Sequence, residues 1–113
     1  MLNSEANRNI QVMKEEAFHT WGSNCEFGAI DIKNSPYPEF ELRLRLYQKV
    51  EVGIYYDRSA IDIGIGRDGS FVLLGKFTSK PVFRGMKAMI PENLRHNFQV
   101  LDEVARELIA GNI

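Results

Sequence analysis

An alternating pattern runs through residues 39–77, EFELRLRLYQKVEVGIYYDRSAIDIGIGRDGSFVLLGKF. Apolar side chains occupy every second position over residues 40–46 and 50–54, and most of the positions between them are charged. A period of two predicts strands with one buried and one wet face. A further alternating run at residues 61–65 leads to Asp68-Gly69, a pair that readily adopts the positive φ angles of a tight hairpin turn. The pattern therefore predicts an antiparallel sheet.

Two interpretations of residues 40–56 stay open, because the alternation keeps one parity throughout. The segment is either one long strand with a bulge near Tyr47-Gln48-Lys49 or two strands joined there. The usual strand length of about five or six residues favours a break. The absence of Gly, Asn and Asp at residues 47–49 favours continuity.

A first strand is expected at residues 25–32, CEFGAIDI, and a last one at residues 71–77. Alternation in the first strand places Phe27, Ala29 and Asp31 on one side and Ile30 and Ile32 on the other. Residues 34–38 contain two prolines, which remove backbone donors and predict a turn.

Helices are predicted at both ends of the chain. The first has Ser4 as its N-cap and Gly22 as its C′ residue, and the second begins at Pro91 and ends before Gly111. The apolar stripe of the first helix is Ile10, Met13, Ala17 and Trp21, and its wet side includes Lys14, Glu15 and Glu16. The stripe of the second is Leu94, Phe98, Leu101, Val104 or Ala105, and Leu108.

This order of elements predicts an α+β fold, a two-layer sandwich. A four- to five-stranded antiparallel sheet is expected to carry the N-terminal and C-terminal helices on one face, and residues 1–113 are expected to form a single domain. The other face is left open. Its expected residues are Glu41, Arg43, Arg45, Tyr47, Glu51, Gly53, Tyr55, Asp57, Asp62, Gly64 and Gly66.

The composition narrows the classes of function. Because 14 basic and 15 acidic side chains give a net charge of −1, there is no positive excess to hold a nucleic acid backbone. A single cysteine, the lack of a signal peptide and the lack of an apolar run long enough for a membrane span indicate a cytoplasmic protein. We expect neither nucleic acid nor membrane as a direct partner.

No residue cluster in the sequence requires a particular reaction. Residues 64–69, GIGRDG, match the dinucleotide motif G-x-G-x-x-G, but that motif needs a helix after it and here a strand follows. Cys25 with His19 or His96 could supply a thiol nucleophile and its base, although a small buried cysteine and surface histidines explain the same residues. No spacing of His, Cys or acidic residues indicates a metal site. We expect no enzyme activity, cofactor or metal.

The candidate partner-binding residues lie in the sheet region. They are Arg43, Arg45, Tyr47, Glu51, Tyr55, Asp57 and Asp62. Four tyrosines between residues 37 and 56 would supply contact area and hydrogen bonds at low entropy cost. For the two arginines, cross-strand pairing with nearby carboxylates is the favoured interpretation. Gly53, Gly64 and Gly66 either flatten a binding face or accommodate sheet twist or a bulge.

Residues 50–74, VEVGIYYDRSAIDIGIGRDGSFVLL, combine hydrophobic alternation, single acids and a tight hairpin. In this they resemble bacterial toxin-immunity proteins of the contact-dependent growth inhibition type. The resemblance implies a non-catalytic inhibitor that binds a cognate toxin, often a nuclease, and occludes its active site. Such an inhibitor offers acids and aromatics to a basic cleft, a role that suits Glu51, Asp57, Asp62, Tyr47 and Tyr55. No residue is carried over by a family motif.

Two other functions stay open. Type III secretion chaperones are also small cytoplasmic α+β proteins with an N-terminal helix, and they hold an unfolded effector segment. This sequence departs from them in lacking a second helix between the strands and in its nearly balanced charge. A small thiol-dependent enzyme would need an activated Cys25 or histidine.

Overall fold

The computed structural model describes residues 2–33, 39–57 and 60–113, without the side chains of residues 2, 3 and 86. Along the chain, one long helix precedes five strands and a second long helix follows them. They are helix α1 (Leu2–Trp21), strands β1 (Cys25–Ile32), β2 (Glu39–Leu46), β3 (Val50–Asp57), β4 (Ala60–Arg67) and β5 (Ser70–Leu73), and helix α2 (Pro91–Ile109). Short 3₁₀ helices span Gly22–Asn24, Leu74–Lys76 and Met86–Met89.

The strands form one antiparallel sheet in the order β1-β2-β3-β4-β5, so each strand pairs with its neighbours in sequence. Both helices pack on one side of it, where the rings of Trp21 in α1 and Phe98 in α2 lie 5.2 Å apart between centroids. The predicted two-layer α+β fold is confirmed.

The buried face of the sheet is built from the apolar positions of the alternating pattern. They are Phe40, Leu42, Leu44 and Leu46 of β2, Val50, Val52, Ile54 and Tyr56 of β3, and Ile61, Ile63 and Ile65 of β4. The predicted stripes of both helices pack against this face, and of these residues Leu108 is only partly buried. Removal of this apolar surface from water is the main driving force for folding.

The connection between β2 and β3 shows that residues 40–56 form two strands. Tyr47 and Gln48 both have positive φ angles, 55° and 60°, which residues other than glycine rarely adopt. Contacts from outside the turn hold this conformation. The Tyr47 N–H donates to the Asn24 carbonyl at 2.8 Å, and the Tyr47 hydroxyl donates to Asp102 of α2. The turn thus depends on tertiary contacts rather than on local turn residues.

Strand β1 departs from regular alternation. Phe27 pairs with Leu44 but Ile30 pairs with Leu42, so two β1 residues, one of them Ala29, lie opposite a single β2 residue. Such a bulge shifts the side-chain parity of the rest of the strand. The prediction that Phe27 and Ile30 point to opposite faces is therefore wrong, because both share the helix side of the sheet.

Two boundaries and one side chain also differ from the prediction. Helix α1 begins before Ser4, which lies inside the helix instead of capping it, and β5 ends at Leu73, where a 3₁₀ helix follows. Glu16, predicted on the wet side of α1, is 7% exposed and accepts hydrogen bonds of 3.0 and 3.1 Å from Arg95 of α2. This ion pair joins the helices and compensates a charge that would be costly to bury alone.

The other helix and turn signals are confirmed. Pro91 is the first residue of α2, Gly111 follows its end with a φ of 78°, and Asp68-Gly69 has φ angles of 52° and 84° in the β4–β5 turn. The predicted turn at residues 34–38 falls outside the described residues. Among the helices described, none combines the length and the apolar character that a membrane span requires.

Candidate protein-binding face

The side of the sheet opposite the helices, called the open face, carries polar residues, glycines, one exposed phenylalanine and one exposed leucine. They are Glu26, Asp31, Glu39, Glu41, Arg43, Arg45, Glu51, Gly53, Tyr55, Asp57, Asp62, Gly64, Gly66, Phe71 and Leu73. These residues share a face because directly opposed residues of antiparallel strands point the same way, and the alternate positions form the core.

Carboxylates concentrate at one end of this face, the acidic end. It consists of Asp31, Glu39, Glu41, Asp57 and Asp62. The strand register brings them together from four strands: Asp31, Glu41, Tyr55 and Asp62 form one cross-strand row, and Glu39 pairs with Asp57 in the next row. A single strand could not supply this cluster.

Three cations partly neutralise the acidic end. Lys33 pairs with Asp31 at 2.6 Å, Arg43 with Glu41 at 2.9 Å, and Arg84 with Asp62 at 2.5 Å. All three pairs are solvent-exposed, and such pairs contribute only about 0–1 kcal/mol each. Within the described part of the chain, no ion pair involves Glu39 or Asp57. Among the residues that the structure describes, five carboxylates and three loosely held cations give this end of the face an excess of negative charge.

Tyr55 lies in the middle of the acidic end. Its hydroxyl donates a hydrogen bond of 2.5 Å to Oε2 of Glu39. This hydrogen bond, followed by partial burial and the neighbouring carboxylates, raises the pKa of Tyr55 to about 12. The phenol therefore stays a protonated donor over the whole physiological pH range.

The raised pKa makes a prediction about alkaline pH. Because the folded state favours protonated Tyr55, the stabilisation is complete below the usual tyrosine pKa of about 10 and is lost as the pH rises through about 12. In an ultraviolet titration of tyrosinate, we expect a late-titrating group that disappears in Tyr55→Phe and moves to lower pH in Glu39→Gln. Unchanged titration curves in both variants would contradict the hydrogen bond.

Phe71 of β5 occupies the centre of the open face. Its ring lies against the backbone of Gly53 and Gly64, where an added Cβ would come within 3.3 and 3.1 Å of Phe71. A side chain at either position would therefore crowd Phe71, and glycine leaves the room that lets the aromatic side chain cover the strands. The Arg43 guanidinium lies 4.4 Å from the ring centroid, and 41% of Phe71 remains exposed. The glycines accommodate an aromatic residue that sequence reasoning did not place on this face.

Both candidate arginines pair with carboxylates, but the predicted cross-strand pairing is confirmed only for Arg45. Arg45 reaches across to Glu51 of β3, with its Nε 2.6 Å from a carboxylate oxygen. Arg43 instead pairs within its own strand, with Glu41. Both arginines lie on the open face and reduce its negative charge. Among the described residues, carboxylates still outnumber cations at the acidic end.

The prediction that Tyr47 lies on the open face is wrong. Its side chain packs against the core on the helix side, and its hydroxyl donates to Oδ1 of Asp102 at 2.5 Å. The Trp21 indole N–H donates to the same oxygen at 2.8 Å, and Arg106 Nε donates to the other at 2.9 Å. Asp102 therefore joins α1, α2 and the β2–β3 turn.

Of the four tyrosines, only Tyr55 is described on the open face. Tyr56 is 3% exposed and stacks on Phe40 with a centroid distance of 4.9 Å. Tyr37 lies outside the described residues. The open face is therefore less rich in tyrosine than expected, and Phe71 supplies its central aromatic surface.

The structure places the candidate thiol in a poor setting for catalysis. Burial, with a smaller contribution from Glu26, raises the pKa of Cys25 to about 11. A thiol with this pKa is almost entirely protonated at neutral pH and is a weak nucleophile. His96 bonds instead to the Pro81 carbonyl at 2.9 Å, and His19 is exposed on α1.

The glycine motif at residues 64–69 forms the end of β4 and the turn into β5, which confirms the hairpin interpretation. Among the residues described, no group of three or more His, Cys, Asp and Glu side chains is arranged to hold a metal ion. Comparison with protein-family models, curated proteins and solved structures found no match. The candidate function therefore rests on the geometry of the open face.

Proposed function

We propose that this chain is a non-catalytic inhibitor that binds another protein through its open face. In the more specific form of the proposal it is a cytoplasmic immunity protein that neutralises a cognate bacterial toxin. The observation that carries the proposal is the acidic end, where five carboxylates from four strands lie beside the exposed ring of Phe71. Interfaces of this kind combine aromatic anchors with charges that complement the partner.

A partner whose charge complements the acidic end has a basic cleft. A nuclease active site is one example. A cleft that binds a phosphate backbone needs Lys and Arg side chains, and these would also pair with the carboxylates of the acidic end. Glu39 and Asp57 are suited to make the first contacts with such a partner. Neither forms an ion pair within the described residues that would have to be broken. A sheet face seated over such a cleft would exclude the substrate.

The strand order favours an immunity protein over a secretion chaperone. Strands β1 to β5 follow one another in the sheet, and no helix lies between them in the described residues. The second helix that the chaperones carry between their strands has no counterpart in the part of the chain that the structure describes.

The inhibitor proposal predicts that the candidate thiol is dispensable. Because Cys25 is half-buried with a raised pKa, Cys25→Ser and His96→Ala should each leave the biological activity within about threefold of wild type if they fold. The activity is measured as protection of growth, with folding checked by circular dichroism. A folded Cys25→Ser protein whose activity falls about a thousandfold or more would support a thiol enzyme instead.

The partner itself is identified by affinity purification of the tagged chain from its native cell. We expect one stoichiometric partner that inhibits growth when expressed alone and is silenced by co-expression of this chain. A co-purifying protein that is unfolded without this chain and has no toxicity would contradict the proposal and favour a chaperone.

A further inference from the structure

Strand β5 forms one of the two edges of the sheet, because the strand order ends with it. It pairs with β4 on one side, and the part of the chain that the structure describes places no strand on its other side. None of its four residues is buried, and Phe71 and Leu73 are 41% and 44% exposed. The outer edge of β5 is therefore accessible to another strand.

The backbone groups of Phe71 and Leu73 point to this outer edge. The β4–β5 hairpin has a two-residue turn, so its closing pair, Arg67 and Ser70, is a hydrogen-bonded pair. Alternation along the strand then directs Val72 toward β4 and directs Phe71 and Leu73 away from it. Among the described residues, no backbone hydrogen bond outside the regular elements involves Phe71 or Leu73. Their outward N–H groups are thus ready to pair with a second strand.

The exposed side chains beside this backbone are apolar. Phe71 covers Gly53 and Gly64 on the open face, and Leu73 lies opposite Gly64 on the same face. Strand β5 contains no charged residue and no bulge, which are the usual devices that protect an edge from pairing. An unprotected apolar edge of this kind indicates an interaction surface.

The opposite edge of the sheet, β1, is protected. The bulge between Phe27 and Ile30 interrupts its ladder, and bulges are a common device against edge pairing. If a second copy paired its Ile30 with Phe27, the same register would bring Glu26 opposite Asp31, and directly opposed like charges are destabilising. Of the two edges, β5 is therefore the one that suits association.

The β5 edge is complementary to a second copy of itself. When two β5 strands run antiparallel about a two-fold axis at Val72, Phe71 of each copy lies opposite Leu73 of the other. Both residues direct their backbone groups across the axis, so about four hydrogen bonds form. On the open face, Phe71 and Leu73 of the two copies join into one apolar cluster.

The charges of the chain favour the same arrangement. Asp68 precedes β5 and Lys76 follows it, so the axis brings the Asp68 end of each copy beside the Lys76 end of the other. Within the described residues, neither side chain forms an ion pair. The acidic end lies beyond Leu73, in the direction of Asp62, so antiparallel pairing places the two acidic ends at opposite ends of the joined sheet.

We propose that this chain forms a symmetric homodimer by antiparallel pairing of its β5 edges. The two five-stranded sheets then form one continuous sheet with both open faces on the same side. Because an edge of four residues buries little surface, the dimer is weak, with a Kd on the order of 100 μM. The dimer does not depend on the immunity function, and it presents two acidic ends at once.

The first test follows the chain alone by sedimentation equilibrium from about 1 μM to about 1 mM, where monomer should give way to dimer. Hydrogen exchange then locates the contact. The amides of Phe71 and Leu73 should exchange about threefold more slowly at about 1 mM than at about 30 μM. The amide of Val72, which faces β4, is the internal control and should exchange at the same rate at both concentrations.

Two substitutions of Leu73 test the pairing. Leu73→Pro removes an outward N–H while preserving the monomer, because the φ of Leu73 is −58° and proline requires about −65°. Leu73→Glu keeps the N–H and places a carboxylate against the apolar cluster. Each should raise the Kd at least about tenfold. Ile30→Glu, at a similarly exposed position of β1, should leave it within about twofold.

Circular dichroism checks the fold of each variant. A chain that stays monomeric at about 1 mM would overturn the proposal, and so would a dimer that persists in folded Leu73→Glu. Because both measurements omit any other protein, this proposal and the open-face proposal fail independently.

Discussion

Leu101→Ala is expected to lower the free energy of unfolding by about 2–5 kcal/mol, the cost of lost burial plus the cavity left behind. Leu101 lies in the middle of α2, is fully buried and belongs to the single core cluster that joins the helices to the sheet. The free energy is measured by urea denaturation followed by circular dichroism. A loss in this range shows that α2 is an integral layer of the fold.

The matched control is Gln99→Ala, two residues earlier on the exposed side of the same helix. This change should alter the free energy of unfolding by no more than about 0.5 kcal/mol. Wild-type stability of Leu101→Ala would contradict the two-layer core, because it would mean that α2 packs only peripherally.

Tyr55→Ala, Asp57→Ala and Phe71→Ala are each expected to weaken partner binding by about 2 kcal/mol or more, or roughly thirtyfold in Kd. Binding energy concentrates in a few aromatic and charged residues near the centre of an interface. Phe71 is the exposed aromatic residue at the centre of the open face, and Tyr55 and Asp57 lie at its acidic end.

The measurement is calorimetric titration against the co-purified partner, with the fold of each variant checked first. Tyr55→Phe separates two contributions, since it keeps the ring and loses only the hydroxyl that donates to Glu39. We expect it to bind more tightly than Tyr55→Ala. Equal affinity of wild type and all three alanine variants would exclude the open face as the binding surface.

The fold could be predicted from the sequence because its main signals are local. Alternation in residues 40–65 fixes which side chains enter the core, and a slip of one residue would expose them all. Pro91, Gly111 and Asp68-Gly69 likewise mark their helix ends and turn through their own backbone preferences. These features need no knowledge of the tertiary contacts.

The features that were missed depend on residues distant in sequence. Tyr47 turns away from the open face because Asp102 accepts its hydroxyl, a contact between residues 55 positions apart. Glu16 can be buried because Arg95 lies opposite it on α2. Phe71 reaches the open face across Gly53 and Gly64, so the spacing of those glycines on neighbouring strands was the available signal.

The acidic end could be predicted only in part. Asp57 and Asp62 were expected on the open face, and the strand register places them there. The contribution of β1 was missed because the bulge changes its parity, which brings Asp31 into the same cross-strand row as Glu41. Bulges are set by strand pairing and are hard to read from a single strand.

The central claim is that the charge of the open face attracts a basic partner. Its most direct test is the association rate of Asp57→Lys, compared with Glu15→Lys on the exposed side of α1, which changes the net charge equally. At about 0.1 M salt, Asp57→Lys should associate at least about tenfold more slowly than Glu15→Lys. At about 1 M salt, where screening is nearly complete, most of this difference should disappear. Equal rates for the two variants at low salt would contradict the account.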